Sequence, residues 1–321
     1  MKYFKAWMKH FIGLFMSIFG NFFLRNSLVV ICYHDINESP SEFSKSNSLD
    51  LNPELFRKQL LFLKSNFNII SPDDLISGNI PKRAVLITFD DGWRSTFEVA
   101  IPIMKELKIP SILFLNMAPV KGSLFFPGLV DYFIRNYDNF PKFLNENIED
   151  TKKYPLHTNC TIELLNSFID SEKSINNSTL SNYIGDFASE EMLKKYENNS
   201  YVYYGNHFLN HYVSRHLNEI EFEEEYILNS RLLEKYNNYR KIVAFPYGQP
   251  NSCFSKEQVT QLFNFEVQHI FASSGHVGHD IKFKFIDRIS FTASHSTEIK
   301  MWQQLGIGFF KEKLSQISNI K

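Results

Sequence analysis

The amino-acid sequence predicts an α/β fold built on a parallel sheet or barrel. Three observations carry that expectation. Continuous apolar runs such as Leu28-Val29-Val30-Ile31-Cys32 and Ala84-Val85-Leu86-Ile87-Thr88-Phe89 have strand length and suit a sheet covered on both faces. Segments with helical start signals lie between such runs, and strand, helix, strand in this rhythm implies right-handed crossovers. Polar clusters stand directly after the apolar runs, at the strand ends where α/β folds build their sites.

The elements follow in chain order. In residues 1–26, Lys2, Lys5, Lys9, Gly13 and Gly20 fall on one side of a helical wheel, with Phe4, Trp7, Phe11, Leu14, Phe15, Ile18 and Phe22 on the other. The uncharged run 11–24 is shorter than the roughly 20 residues that span a bilayer, and bulky Phe22-Phe23-Leu24-Arg25 offers no small-residue cleavage site. A basic, aromatic helix lying in a membrane interface is the expectation. An ordinary helix packed on the domain, a signal anchor and a cleaved signal are the alternatives.

The first strand is residues 28–32, with Tyr33-His34-Asp35 at its end. Asn52-Pro53 opens a helix with Phe56, Leu60 and Leu63 on one face. Residues 68–70 form a short strand, and Ser71-Pro72 begins another helical turn. After strand 84–89, residues 95–107 are helical, Pro110 stops them, and 111–115 is the next strand. Residues 120–199 are polar and Asn-rich, with a helix expected near 161–169, and read as a mostly helical insertion. Tyr201-Val202-Tyr203-Tyr204 is a strand, Asn218 and Glu221 start a long helix, and 242–245 is a further strand. Residues 256–265 are helical, 269–273 strand-like, and 283–291 contain a last strand around Asp287-Arg288. Domain bounds are 1–26 for the amphipathic helix, 27–300 for the main α/β domain with the 120–199 insertion, and 301–321 for a tail.

Composition narrows the function. The chain is 44% hydrophobic with 32 Phe and 15 Tyr, and its formal charge of −1 gives no electrostatic reason to expect nucleic acid. Cys32, Cys160 and Cys253 are too few and too far apart for a disulfide framework or a zinc knuckle. Chemistry gathers instead at strand ends. Asp90 and Asp91 stand where Gly92 breaks the apolar run, and two carboxylates there repel unless a metal or a proton intervenes; a helix cap and a solvated turn residue are the plainer reading. His207 and His211 are four residues apart and, on a helical turn, could grip one metal; alone, such a pair is more often solvated or buried in a core.

The order Thr88-Phe89-Asp90-Asp91-Gly92, His207-x-x-x-His211, Phe245-Pro246-Tyr247-Gly248, preceded by Tyr33-His34, resembles the polysaccharide deacetylase family of NodB-like carbohydrate esterases. The resemblance covers residues 28–295 apart from the insertion. It implies a distorted (β/α) barrel and metal-dependent removal of acetyl groups from N-acetylated, sometimes O-acetylated, sugars. Carried over, Asp91, His207 and His211 would bind a divalent metal, with zinc the first choice and iron, cobalt or nickel also suited. Asp90 would be the general base toward the attacking water, and the Tyr247 backbone N–H, in the turn begun by Pro246, would help hold the oxyanion.

Two departures stand out. The family's Arg shortly before Pro-Tyr is replaced by Ala244, and Arg288 is the candidate substitute. The general-acid histidine has no motif; His34 is preferred over His276, His279 and His295, while His10, His157, His216 and His269 are assigned structural or solvated roles. The expected activity is N-deacetylation of a polysaccharide or lipid-linked precursor, at the cytoplasmic face of a membrane, with export or signal anchoring as the alternative. The rival readings are a carbohydrate-binding barrel without turnover and an O-deacetylase.

Overall fold

The computed structural model describes residues 2–147, 160–172, 177–278 and 284–318. Nine parallel strands form its main sheet: β1 (Leu28–Tyr33), β2 (Asn68–Ile69), β3 (Ala84–Phe89), β4 (Ser111–Leu115), β5 (Val202–Asn206), β6 (Tyr239–Ala244), β7 (His269–Phe271), β8 (Phe285–Ile286) and β9 (Ile289–Ser290). Their order is β8-β7-β6-β5-β4-β3-β1-β9, with β2 beside the first half of β3. β8 and β9 lie at opposite ends of this order, yet only Asp287 and Arg288 separate them in sequence. One short segment therefore pairs with β7 through Phe285 and Ile286, then with β1 through Ile289 and Ser290. It draws the two ends of the curled sheet together. The single strand expected within 283–291 is split because the chain changes partner at Asp287-Arg288.

Side chains along a strand alternate between its two faces. Leu28 and Val30 on β1 and Ala84 and Leu86 on β3 pack with Ile112, Phe114, Ile242, Ala244, Phe271 and Ile286 inside the curl. Val29, Ile31, Val85 and Ile87 face outward and pack under helices with Phe56, Leu60 and Leu63. The inner row of β1 continues to Cys32 and that of β3 to Thr88, which puts the next inner position, Asp90, at the mouth.

The helix starts match their sequence signals. Asn52 caps Pro53–Asn66 by accepting from the Glu54 N–H, and Ser71 with Asp74 and Asn218 with Glu221 form capping boxes before Pro72–Ser77 and Glu219–Leu233. The helix expected over 95–107 starts as a wide π turn, Thr96–Ala100, before Ile101–Leu107. The insertion is helical: Phe126–Asn136, Asn139–Asn147, Ile162–Ser171, Asn177–Ile184 and Glu190–Tyr196. Phe126, Phe133, Phe140, Leu165 and Phe168 give it a small core of its own. His157 lies outside the described residues.

Helix Lys2–Phe23 packs on helix Glu298–Ser318. A Cβ on Gly20 would sit 2.4 Å from the Trp302 ring and one on Gly13 2.6 Å from the Ile299 carbonyl, so both glycines permit close approach of the helices. Met301, Trp302 and Leu305 are buried, so the expected tail is, as far as Ser318, a helix of the core. The glycine side of the N-terminal helix thus faces the protein. Its aromatic side faces outward, with Trp7, Phe11, Leu14, Ile18, Phe19 and Phe22 exposed. Among the described residues no helix is long and apolar enough to cross a membrane.

Candidate metal centre

Asp90 and Asp91 end up in one cavity by different routes. Asp90 continues the inner row of β3, and its N–H is anchored on the Tyr33 carbonyl. Asp91 takes the left-handed conformation (φ 73°), followed by Gly92 (φ 87°), so the chain swings its carboxylate round to the same opening. The Trp93 indole N–H then donates to Asp91 Oδ2 at 3.0 Å, leaving Oδ1 directed at the histidines.

His207 and His211 follow β5, but no helical turn joins them, contrary to the expected geometry. They lie in an irregular loop in which Phe208 (φ 61°) and His211 (φ 61°) are left-handed. Buried amides hold that loop. Asn116 donates to the His207 and Phe208 carbonyls, the Phe208 N–H donates to Asn206 Oδ1, and Asn229 donates to Asn206 Oδ1 and the Leu115 carbonyl. His207 Nδ1 donates to the Ala244 carbonyl at 2.7 Å, which leaves Nε2 as the ring's free lone pair. His207 Nε2 lies 3.5 Å and His211 Nε2 3.3 Å from Asp91 Oδ1. The His211 ring is flanked edge-on by Phe125 and Tyr247, with centroids at 5.1 and 4.9 Å. Burial lowers the His211 pKa, against the pull of Asp91, and a neutral imidazole is what a metal requires.

The three donor atoms fit a divalent ion. Ligands about 2.0–2.1 Å from a tetrahedral centre stand about 3.3 Å from one another, and the spacings here are 3.3 and 3.5 Å. Asp91, His207 and His211 are all buried and converge as one group. Two imidazoles and one carboxylate suit zinc, and also iron, cobalt or nickel.

Asp90 has a different partner. Arg288, 1% exposed, makes a bidentate pair with it, Nη1 to Oδ1 at 2.6 Å and Nη2 to Oδ2 at 2.8 Å. The guanidinium also donates to Thr88 Oγ1 and the Ala272 carbonyl and stacks over Phe114. Arg288 therefore occupies the partner position expected from its place late in the chain. Burial pushes the Asp90 carboxyl up, but Arg288, with lesser help from His207 and His34, holds it below the ordinary carboxylate value. His34 Nε2 stands 4.0 Å from Asp90 Oδ2, and the Cys32 thiol donates to the same oxygen at 3.4 Å.

A cavity of about 430 Å³ opens over these groups and is lined by His34, Asp90, Asp91, His207, His211 and Tyr247. Tyr247 is left-handed (φ 58°), and Pro246 before it is buried in the turn. Of the other histidines weighed, His276 pairs with Glu312 and His295 accepts from the Thr292 N–H; neither lines the cavity. His279 lies outside the described residues. Reading the sequence missed Phe43, Phe125, Pro127 and Asp131, which complete the wall. Three of these belong to the insertion, whose residues carry no local motif. Trp93 was missed too, although it directly follows the Asp-Asp-Gly turn.

A polysaccharide deacetylase family model matches residues 77–263. Similar folds occur in IcaB from Ammonifex degensii (18% identity, TM-score 0.56, covering 87% of this chain and 97% of that one). They occur also in the Streptococcus pyogenes deacetylase PplD, solved in complex with acetate (15%, 0.54, 88% and 99%). A de-N-acetylase from Aggregatibacter actinomycetemcomitans is a third (16%, 0.51, 82% and 94%). Among curated proteins none matches the sequence.

Replacing Arg288 with Met should leave the Asp90 carboxylate buried and unpaired, at a cost of about 3–5 kcal/mol at neutral pH. The wild-type Asp90 pKa is depressed, so the pair's contribution is present above the unfolded carboxyl value and fades as pH falls through the folded one. In Arg288→Met, burial without the guanidinium raises the Asp90 carboxyl instead, so the variant relieves its unpaired charge by taking up a proton as pH falls, and its deficit should be largest at pH 7 and shrink toward pH 4. Urea denaturation of the metal-free proteins across that range measures it.

Proposed function

The chain belongs to the polysaccharide deacetylase family, and we propose that it is a metal-dependent hydrolase that removes N-acetyl groups from an acetamido-sugar in a polysaccharide or its lipid-linked precursor. The single observation behind this reading is the convergence of Asp91, His207 and His211 on one point with Asp90 beside them in the same cavity.

Asp91 Oδ1, His207 Nε2 and His211 Nε2 would hold the ion, which when bound would polarise the acetamide carbonyl and acidify a water beside it. Asp90 takes the proton from the attacking water as its oxygen bonds to the carbonyl carbon. Arg288 keeps that carboxylate ionised and aimed, since both guanidinium nitrogens grip it. The Tyr247 backbone N–H supports the oxyanion. His34 protonates the sugar nitrogen as the carbon–nitrogen bond breaks, so that acetate and a free amine leave. Its support is its place: it is the histidine of the cavity that is outside the ligand set, 4.0 Å from Asp90.

The exposed face of the N-terminal helix supports a location at a membrane surface, with the cytoplasmic face as first choice. Trp7 is 64%, Ile18 73% and Phe22 72% exposed, and the cations Lys9, within the helix, and Arg25, just after it, are exposed too. Such a helix buries its apolar side at the headgroup boundary and keeps its cations at anionic lipids.

Acetate release from an N-acetylhexosamine oligomer should require added divalent metal and stop with a chelator. Asp90→Asn should lower the rate by about 10²–10⁴-fold while metal content stays stoichiometric; an undiminished rate removes Asp90 as the base. His34→Gln should slow the acetamide substrate similarly but spare an aryl acetate, whose leaving group needs no proton. Equal loss on both substrates rules out His34 as the acid.

Sedimentation with vesicles tests the location. The full chain should bind vesicles rich in anionic lipid and lose most of that binding in Phe11→Ser/Ile18→Ser/Phe22→Ser. Binding that is unaltered by the triple change places the contact elsewhere.

A further inference from the structure

The insertion has no role in the chemistry above, yet it is stitched to the turn that carries Asp91. The Ala188 N–H donates to the Gly92 carbonyl at 2.9 Å and the Arg94 N–H to the Asp186 carbonyl at 3.0 Å. Between these bonds Trp93, 2% exposed, stacks on Phe187 from the insertion at 4.8 Å and on Phe43 at 6.1 Å. Phe187 also packs at 4.8 Å on Phe125, whose edge meets the His211 ring. One aromatic cluster thus touches the carboxylate through an indole N–H and one histidine through a ring edge.

We propose that Trp93 is a positioning residue of the metal centre and that the insertion is the clamp that holds it. This rests on the reading of Asp91, His207 and His211 as metal ligands. A carboxylate can rotate about its terminal bond or chelate through both oxygens, and either motion spoils a site pre-set for one oxygen and two nitrogens. The indole N–H occupies Oδ2 and so fixes Asp91 as a one-oxygen ligand through Oδ1. Stacking with Phe43 and Phe187 keeps the indole from turning away, because rotation would break both ring contacts in a buried cluster. Partners of ligands that act this way typically change metal affinity by about 10–100-fold.

The experiment is metal competition against a chromophoric chelator, with zinc, on the full chain. Trp93→Phe keeps the ring and removes only the donor; affinity should fall about tenfold or more, and the absorption bands of the cobalt-loaded protein should shift. Phe187→Leu loosens the stack but keeps the N–H, and should weaken binding by a smaller factor. Affinity of Trp93→Phe within twofold of wild type overturns the proposal, as does an equal loss in both variants, which would assign the effect to packing. Should Trp93→Phe fail to fold, the wild-type chain still decides. The Trp93 indole proton should exchange with solvent far more slowly than that of exposed Trp7, with zinc and without it, and equal exchange overturns the proposal. Wild-type protein that binds no stoichiometric zinc, cobalt, iron or nickel defeats the ligand assignment itself, a result distinct from either failure of Trp93.

Discussion

A carboxylate at the inner end of a barrel strand is the constraint around which much of this molecule is arranged. Asp90 is nearly out of contact with solvent, and an isolated buried carboxylate costs several kcal/mol in lost hydration. Arg288 offsets that cost with a bidentate pair, and it does so from the seam where the chain leaves β7 for β1. Closure of the curled sheet and compensation of the Asp90 charge are therefore one structural event. Exchanging such a pair for apolar residues often leaves stability unchanged or improves it, so its presence needs a reason beyond folding. The proposed reaction supplies one: a general base at this position would have to be ionised when its substrate arrives.

Backbone strain is present at the same place. Asp91, Phe208, His211 and Tyr247 all have positive φ without being glycine. Each such residue costs of order 1–3 kcal/mol and persists only where its surroundings over-determine it. Those surroundings are visible. The amides of Asn116, Asn206 and Asn229 tie the histidine loop to β4, β5 and helix Glu219–Leu233, and Trp93 ties the Asp91 turn to the insertion. The polar core beneath the site is thus a support for conformations that the backbone alone would avoid.

Much of this arrangement can be read in the residues, and the limits are instructive. The buried parallel strands, the capped helices and the polar clusters at the strand ends follow from local pattern, because apolar runs and N-caps act over a few residues. Asp90, Asp91, His207, His211 and Tyr247 stood out as candidates because they follow strand ends in motifs that resemble those of the deacetylases. Arg288 was reachable only as a candidate, since the two-residue seam that delivers it depends on which strands pair, not on its own neighbours. The helical spacing of His207 and His211 suggested the right convergence by the wrong geometry: left-handed residues, not a helical turn, bring the rings together. The wall formed by Phe125 and Asp131 was illegible because the insertion meets the site through tertiary contacts alone. The helix Glu298–Ser318 passed for a tail because the face that fits it to the N-terminal helix rests on the packing of Trp302 against Gly20.

The two adjacent aspartates show why a cation belongs on one and not on the other. Asp90 already has a permanent positive charge at both oxygens. Asp91 is buried to the same degree, but among the described residues no lysine or arginine pairs with it. Its Oδ2 receives the Trp93 N–H, whereas Oδ1 faces the two Nε2 atoms. Those nitrogens could serve Oδ1 as donors only if protonated. For His207 that means a doubly protonated ring, since Nδ1–H is committed to the Ala244 carbonyl, whereas His211, whose Nδ1 has no partner among the described residues, could donate as the neutral Nε2–H tautomer. Neutral His207 still points its Nε2 lone pair at a carboxylate oxygen 3.5 Å away, two acceptors with nothing between them. A divalent ion held by Asp91 Oδ1 and the two Nε2 atoms would replace that repulsion with coordination, with His211 in its Nδ1–H tautomer, and would leave the Arg288 grip on Asp90 in place.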